Sequence, residues 1–410
     1  MKINKLVAAL MCFPGASVMA DEPSRWHWNG FISQGYVYAK DNNFFVDDQD
    51  PSWASAAAGF SASYNVNSAT RFNGQVIYRH SGDHQEEGVR LDYGFVDRFI
   101  QASDQLNTSA KFGRIKSQLG IYGDSLSAPF TRPGIFSPQS SYSELFRNFL
   151  VSYDGVELLN SVRLAQGELS IALWGGFPVT NGDEVLNNSL GESAVGDFDD
   201  HGYTSALHIK YDTGSWLVGA SYVDAPFQFD ADADSIVDSG FLSIDDLRLF
   251  AQYNFEHWEL TAEYMEQVVE TEGLANRLLP AGLMPDEQRW EPRAYFLQAR
   301  HFVSPSVTLL FRYDAFFADH SDSDGEDAAA RTQLLAAAVS QPQLAQRPDM
   351  FYAKFWTLGA SWEPDSNWLL RIEYSDVEGS GRSPAQFAPN SQVNDEKDWS
   401  VFSFQAAYRF

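Results

Sequence analysis

The chain has 410 residues, with 55 Asp or Glu against 28 Lys or Arg, and its net charge of −27 repels nucleic-acid phosphates, which excludes DNA and RNA as partners. Aromatic residues make up 15%, too many for an acidic disordered tail, and no Pro-, Gly- or Ser-rich linker divides the chain, so one large ordered domain is expected. The single cysteine, Cys12, excludes disulfides, Cys-based metal sites and thiol nucleophiles, and no metal or cofactor is expected.

Residues 1–20 open with Lys2 and Lys5, continue through the apolar run LVAALMCF and close on Val18-Met19-Ala20. This is the pattern of a secretory signal peptide cleaved before Asp21. Cleavage removes Cys12 and leaves 21–410 as one exported domain. The apolar run falls short of the roughly 20 residues a membrane helix needs.

From Trp26 onward the dominant signal is apolar–polar alternation with a period of two, which sets successive side chains on opposite faces of a strand. Phe72, Val76 and Tyr78 oppose Arg71, Asn73, Gln75 and Arg79. Leu207, Ile209 and Tyr211 oppose His208 and Lys210. Leu247, Leu249, Ala251, Tyr253 and Phe255 oppose Arg248, Gln252 and Asn254. Trp258, Leu260, Ala262 and Tyr264 oppose Glu259, Thr261 and Glu263. Val307, Leu309, Phe311, Tyr313 and Phe317 oppose Thr308, Arg312 and Asp314, while Trp368, Leu370, Ile372 and Tyr374 oppose Arg371, Glu373 and Ser375. In the closing segment Phe402, Phe404, Ala406, Tyr408 and Phe410 oppose Val401, Ser403, Gln405, Ala407 and Arg409, of which Ser403, Gln405 and Arg409 are expected to look into water. Residues 53–64 and 351–362 show weak contrast. Gly113-Arg114-Ile115-Lys116 breaks the phase of its segment, as a bulge or emergence from the membrane would.

Aromatics gather near segment ends, as they do in membrane-interface girdles. Seven short connections (65–69, 101–105, 165–167, 212–215, 256–257, 304–306, 364–367) alternate with eight long ones (near 41–51, 81–88, 117–150, 178–200, 230–242, 271–289, 320–348 and 381–397), which predicts sixteen strands. The fold class is therefore all-β, a transmembrane antiparallel barrel in the outer membrane, with short periplasmic turns and long external loops. The acidic runs at Asp230–Asp234 and Asp319–Asp327 lack the calcium-loop pattern, since Ser235 stands where glycine is needed and Arg331 where glutamate is needed. They read as solvated loops or as divalent bridges to lipopolysaccharide. EDAAARTQLLAAAVS (326–340) has the composition of a short helix.

The sixteen-strand count, the final strand ending on Phe410 after Tyr408, and the long third loop together resemble the trimeric bacterial porins. The run Phe112-Gly113-Arg114-Ile115-Lys116, followed by Leu119-Gly120 and Phe130-Thr131-Arg132-Pro133, is similar to the anion-type, phosphate-selective group. With only Lys40, Lys111, Lys116, Lys210, Lys354 and Lys397 beyond the leader, the chain departs from that group's lysine-lined pore. The resemblance implies a homotrimer in outer-membrane lipid and lipopolysaccharide, and a water-filled channel for passive diffusion of small hydrophilic solutes. It also implies that Tyr408 and Phe410 are read by the outer-membrane assembly machinery, and that the third loop folds into the pore.

That loop carries Asp124, Arg132, Glu144 and Arg147, and opposite charges facing across a constriction would filter solutes by charge and dipole. The alternative is a solvated loop surface. Arg71, Arg79, Arg90, Arg98, Arg114 and Lys116 precede the loop on faces read as polar, against Asp92 and Asp97, and a cationic wall of guanidinium groups would favour anions such as carboxylates, phosphates and sulfates. In the alternative reading they pair with loop carboxylates. Two other functions compete. A barrel hydrolase would need a nucleophile and a base, yet His27, His80, His84, His201, His208, His257, His301 and His320 are scattered and no Gly-x-Ser-x-Gly or His-Glu-x-x-His motif occurs. A secreted soluble β-sandwich binding protein would bury the aromatic faces between two stacked sheets.

Overall fold

The computed structural model describes residues 25–45, 51–82, 87–144, 151–179, 194–199, 202–274, 277, 285–382 and 396–410. Residues 1–20, read above as a signal peptide, and Arg147, His84 and His201 lie outside them. Sixteen staves form one closed antiparallel ring. In chain order they are β1 (Trp26–Lys40), β2 (Ser52–Asn67), β3 (Thr70–Ser81), β4 (Gly88–Ala102), β5 (Leu106–Lys116), β6 (Ser152–Leu164), β7 (Gly167–Pro178), β8 (Gly196–Asp199 continued by Thr204–Asp212) and β9 (Trp216–Ala231). There follow β10 (Gly240–Phe255), β11 (Trp258–Glu272), β12 (Glu287–Trp290 continued by Arg293–Ser304), β13 (Val307–Phe317), β14 (Tyr352–Trp362), β15 (Trp368–Glu378) and β16 (Asp398–Arg409). The break in β12 falls at Pro292, which has no N–H to give a ladder, although its carbonyl accepts from Gln267 N at 2.9 Å. Short and long connections alternate as the sequence predicts, and among the described residues an α-helix, α1 (Glu326–Val339), forms within the seventh long loop.

The ring closes where β1 pairs with β16, from Phe31 opposite Arg409 to Lys40 opposite Ser400. Phe410 extends this seam by exchanging backbone hydrogen bonds with Gly30, at 3.0 and 3.1 Å. Closure removes the free edges that a sheet would otherwise present, and the ring rules out two stacked sheets. The aromatic and aliphatic faces point outward and stay uncovered: Trp356 is 62% exposed and Leu297 59%. Aromatics recur six positions apart on this outer face, as in Trp258 and Tyr264, Trp362 and Trp356, and Trp368 and Tyr374. They pair across strands, Trp368 with Tyr408 at 5.0 Å near the short turns and Tyr313 with Trp356 at 4.5 Å nearer the long loops. Two girdles bounding an apolar band are what a bilayer's interfaces select.

The weak contrast in 351–362 has a packing cause. On β14 the inward Ala353 and Phe355 are buried against Phe44, Phe45, Phe136 and Trp399, so the strand is apolar on both faces at its long-loop end and alternation disappears. The same cluster takes Val401, and Ser403 and Gln405 below it face inward.

Two arginines expected on the wall face outward. Arg114 shares the face of Phe112 and pairs with Asp154 on β6 at 2.8 Å. Arg98 lies on the face of Val96 and Phe72, with its guanidinium on Thr70 Oγ1 at 2.6 Å. The apparent phase break at Gly113–Lys116 is therefore emergence: β5 keeps its register with β6, Ile115 turns inward and is buried, and charge replaces apolar side chains outside. Gly113 itself has φ 126°, and a Cβ there would collide with the carbonyl oxygen of Gly94. Gly113→Ala is expected to cost about 1–3 kcal/mol. It should lower the temperature at which the folded, fast-migrating band on a gel converts to the unfolded one, and an unchanged conversion temperature would refute this.

Candidate pore constriction

The described residues of the third long loop, 117–144 and 151, run inside the barrel and meet the wall on most sides. Backbone that leaves secondary structure in a buried place must find partners for its N–H and C=O groups. The inner wall supplies them as opposite charges two residues apart on one strand face, a spacing that points both side chains inward. On β15, Arg371 donates to the carbonyls of Pro129 (2.8 Å), Arg132 (2.6 Å) and Gly134 (3.0 Å), while Glu373 accepts from the amides of Ile135 and Phe136. On β13, Arg312 donates to Phe136 O at 3.2 Å and Asp314 accepts from Ser140 N at 3.0 Å. Arg382 at the start of the eighth loop donates to Ser140 O at 2.8 Å.

Across the lumen, Gly120 N donates to Ser221 Oγ at 2.7 Å and Ile121 N to Glu263 Oε2 at 2.8 Å. The Tyr142 hydroxyl donates to the same carboxylate at 2.6 Å, and Gln298 donates to the Tyr122 hydroxyl at 2.8 Å. Tyr122 stacks on Phe296 with centroids 5.8 Å apart. The Tyr142 ring carries Arg248 on its face at 4.9 Å, with the guanidinium bonded to Asp246. Burial beside the Glu263 carboxylate raises the pKa of Tyr142, so its hydroxyl keeps the proton it donates. Phe130 of the loop carries Arg409 of β16 on its ring face, 4.6 Å from the centroid.

The selectivity residues named from sequence divide three ways. Glu144 is buried between Arg79, with which it pairs directly, and Arg132 at 3.8 Å, so these three form one compact cluster and not two charges facing across a gap. Lys116 joins Asp92 at 3.3 Å and Ser127 Oγ at 2.7 Å, and Asp92 also accepts from Ser127. Arg79 with Glu144 is a pairing of wall base and loop carboxylate, as in the alternative reading, whereas Lys116 meets a carboxylate of the wall itself. Arg71 lies at the short-turn end bonded to Asn65, Arg90 faces inward beside Ile77, and Asp124 is exposed on the loop. Arg98 and Arg114 are outside the lumen. Arg132 keeps its charge at neutral pH, since burial lowers its pKa only to about 10 with Glu144 opposing the fall.

Sequence reasoning missed the clamps. Arg312-x-Asp314 and Arg371-x-Glu373 were visible as charged pairs on inward faces, and that spacing was the available signal. In the acidic run of the seventh loop, Asp322 accepts from the amides of Asp327 (3.2 Å) and Ala328 (2.7 Å), and so caps α1. The described histidines lie apart: His208 stacks on Phe250, His301 stacks on Trp258, and His320 pairs with Glu291 at 3.2 Å.

No family profile and no curated protein matches the chain in sequence. Solved structures do match in fold. OmpT of Vibrio cholerae aligns over 96% of this chain and 100% of its own, at 12% identity and a TM-score of 0.55. The anion-selective porin from Comamonas acidovorans aligns over 94% and 99%, at 12% identity and 0.53. OmpF of Salmonella typhi, in complex with daunomycin, aligns over 94% and 97%, at 14% identity and 0.53. At these identities the likeness establishes a shared barrel architecture.

Proposed function

We propose that this chain, which has the fold of the bacterial outer-membrane porins, is an outer-membrane channel through which small hydrophilic solutes diffuse passively. The observation that carries this reading is a polar, charge-clamped loop held inside a closed barrel whose outer face is apolar and girdled by aromatics. A loop fixed by opposed wall charges sets an aperture that does not collapse, and the outer band sets the barrel's place in a bilayer. The chain reaches the membrane as an exported precursor cleaved after Ala20, with the Tyr408–Phe410 end presented to the assembly machinery. It works without chemistry of its own.

Anions pass in preference to cations, despite the acidic total. The pore carboxylates Asp92, Glu144, Glu373 and Asp314 are each engaged with a cation or with loop amides, and many of the remaining acids lie on rims and external loops, as Asp230, Asp232 and Asp234 do. The assembly is the homotrimer of the porin resemblance, and the outer face of β2, where Ala56, Ala58 and Ala62 flank the exposed Phe60, is an apolar surface for a neighbouring subunit.

In a planar bilayer under a salt gradient, the reversal potential is expected to have the sign of anion preference, and Arg132→Ala is expected to weaken it. Clear cation selectivity in the wild type would sink the anion reading. Lipase, protease and phosphatase assays on the purified protein are expected to be flat.

A further inference from the structure

At the long-loop end a cavity of about 1180 Å³ lies between the third loop, the upper inner wall of β10 to β13, and α1. Its wall is unlike a hydrophilic channel mouth. Leu242 on β10, Met265 and Val269 on β11 and Phe316 on β13 form one side, and Leu334 and Leu335 of α1 form another. Leu334 is 73% exposed. Leu242 and Val269 belong to one buried apolar cluster and Met265 and Phe316 to another, so what faces the space is their cavity-side edge together with the exposed Leu334, and an apolar edge around a water-accessible space marks a site for an apolar ligand group. The space exceeds the several hundred Å³ that enclose a typical small ligand.

The polar groups in this wall are weighted towards guanidinium. Arg382 lies flat on the Phe316 ring, 3.5 Å from its centroid, at a buried point of the lining, and Arg331 stands on α1 at the edge. Of the lining carboxylates, Asp322 caps α1, Asp319 accepts from the backbone and hydroxyl of Ser321, and Glu287 is exposed at the start of β12, while Arg382 also donates to Ser140 O. Guanidinium groups bind carboxylates in preference to neutral groups.

Building on the channel reading, we propose that this cavity is a binding vestibule for amphipathic monoanions, solutes with an apolar body and one carboxylate. The body lies against Met265, Phe316 and Leu335, and the carboxylate points to Arg382 and Arg331. Such a site concentrates its solute above the constriction and lets it compete with the ion current.

The test is single-channel current in the presence of 4-phenylbutyrate, succinate and 4-phenylbutanol, three probes that separate the two chemical requirements. 4-Phenylbutyrate is expected to half-block at a concentration about tenfold below either of the others, the scale of burying one or two extra methylenes. Met265→Gln and Arg382→Gln are each expected to raise its half-blocking concentration about fivefold. Leu335→Gln, on a helix outside the barrel wall, should do the same without endangering the fold. Equal blockade by succinate overturns the apolar requirement, and equal blockade by 4-phenylbutanol overturns the anionic one. Normal conductance with no block by any probe overturns the vestibule while leaving the channel standing. A folded protein that never conducts overturns both.

Discussion

Arg371→Ala combined with Glu373→Ala is expected to raise the open-channel conductance roughly two- to threefold, because the aperture is set by a loop that β15 holds. Arg371 alone serves three loop carbonyls and Glu373 two loop amides. Hydrogen bonds to charged groups contribute about 1.5–3 kcal/mol each, so losing this set frees the segment from Pro129 to Phe136 even though the anchors on β11 and β13 remain. Removing both partners together avoids leaving one charge stranded in the wall, which would add a cost of its own. The strand ladders are untouched, so the barrel should keep its heat-modifiable band. The measurement is single-channel conductance of wild type and double variant under the same salt; a double variant that folds and conducts as the wild type does would show that β15 does not set the aperture.

Glu144→Gln should have the next largest effect. It leaves Arg79 and Arg132 buried side by side without their carboxylate. At an effective dielectric of about 20, one unit of charge roughly 8 Å from a permeating ion changes its energy by about 2 kcal/mol. After salt screening, the anion-to-cation permeability ratio is expected to rise about tenfold. The pH dependence carries the matching sign. Arg132 has its pKa lowered from 12.5 to about 10 by burial, so its positive charge is present below that pH and lost as pH rises through it. Anion preference in the wild type should therefore fall between pH 8 and 10.5, and the Arg132→Ala channel should lack that step. Reversal potentials read both effects, and a ratio unmoved by Glu144→Gln would remove this cluster from the selectivity account.

Much of the barrel was legible because its signal is redundant. Period-two alternation in Leu247–Phe255 or Val307–Phe317 comes from one face meeting lipid and the other a polar lumen, and the connections count themselves. Legibility failed where that contrast fails. Phe355 and Val401 face inward and sit in an apolar cluster with Ile135 and Phe136 of the third loop, so both strand faces are apolar there and the alternation fades. Arg98 and Arg114 lie near strand ends, where the outer face has left the apolar band and tolerates charge. The constriction was less readable than the fold for a physical reason. Its charges are used to satisfy a displaced backbone, and which wall residue meets which loop amide depends on the path of a 35-residue loop that has no period. The opposite charges two apart on β13 and β15 were in view, but only the loop's route gives them a purpose.

The central claim is that the third loop constricts, without sealing, the lumen of a membrane-spanning barrel. Its most direct test is insertion of the purified, heat-modifiable protein into a planar bilayer. The account predicts discrete, ohmic current steps that grow when Arg371 and Glu373 are both replaced by alanine. A wild-type protein that is folded and inserted yet passes no current, with the double variant equally silent, would contradict it.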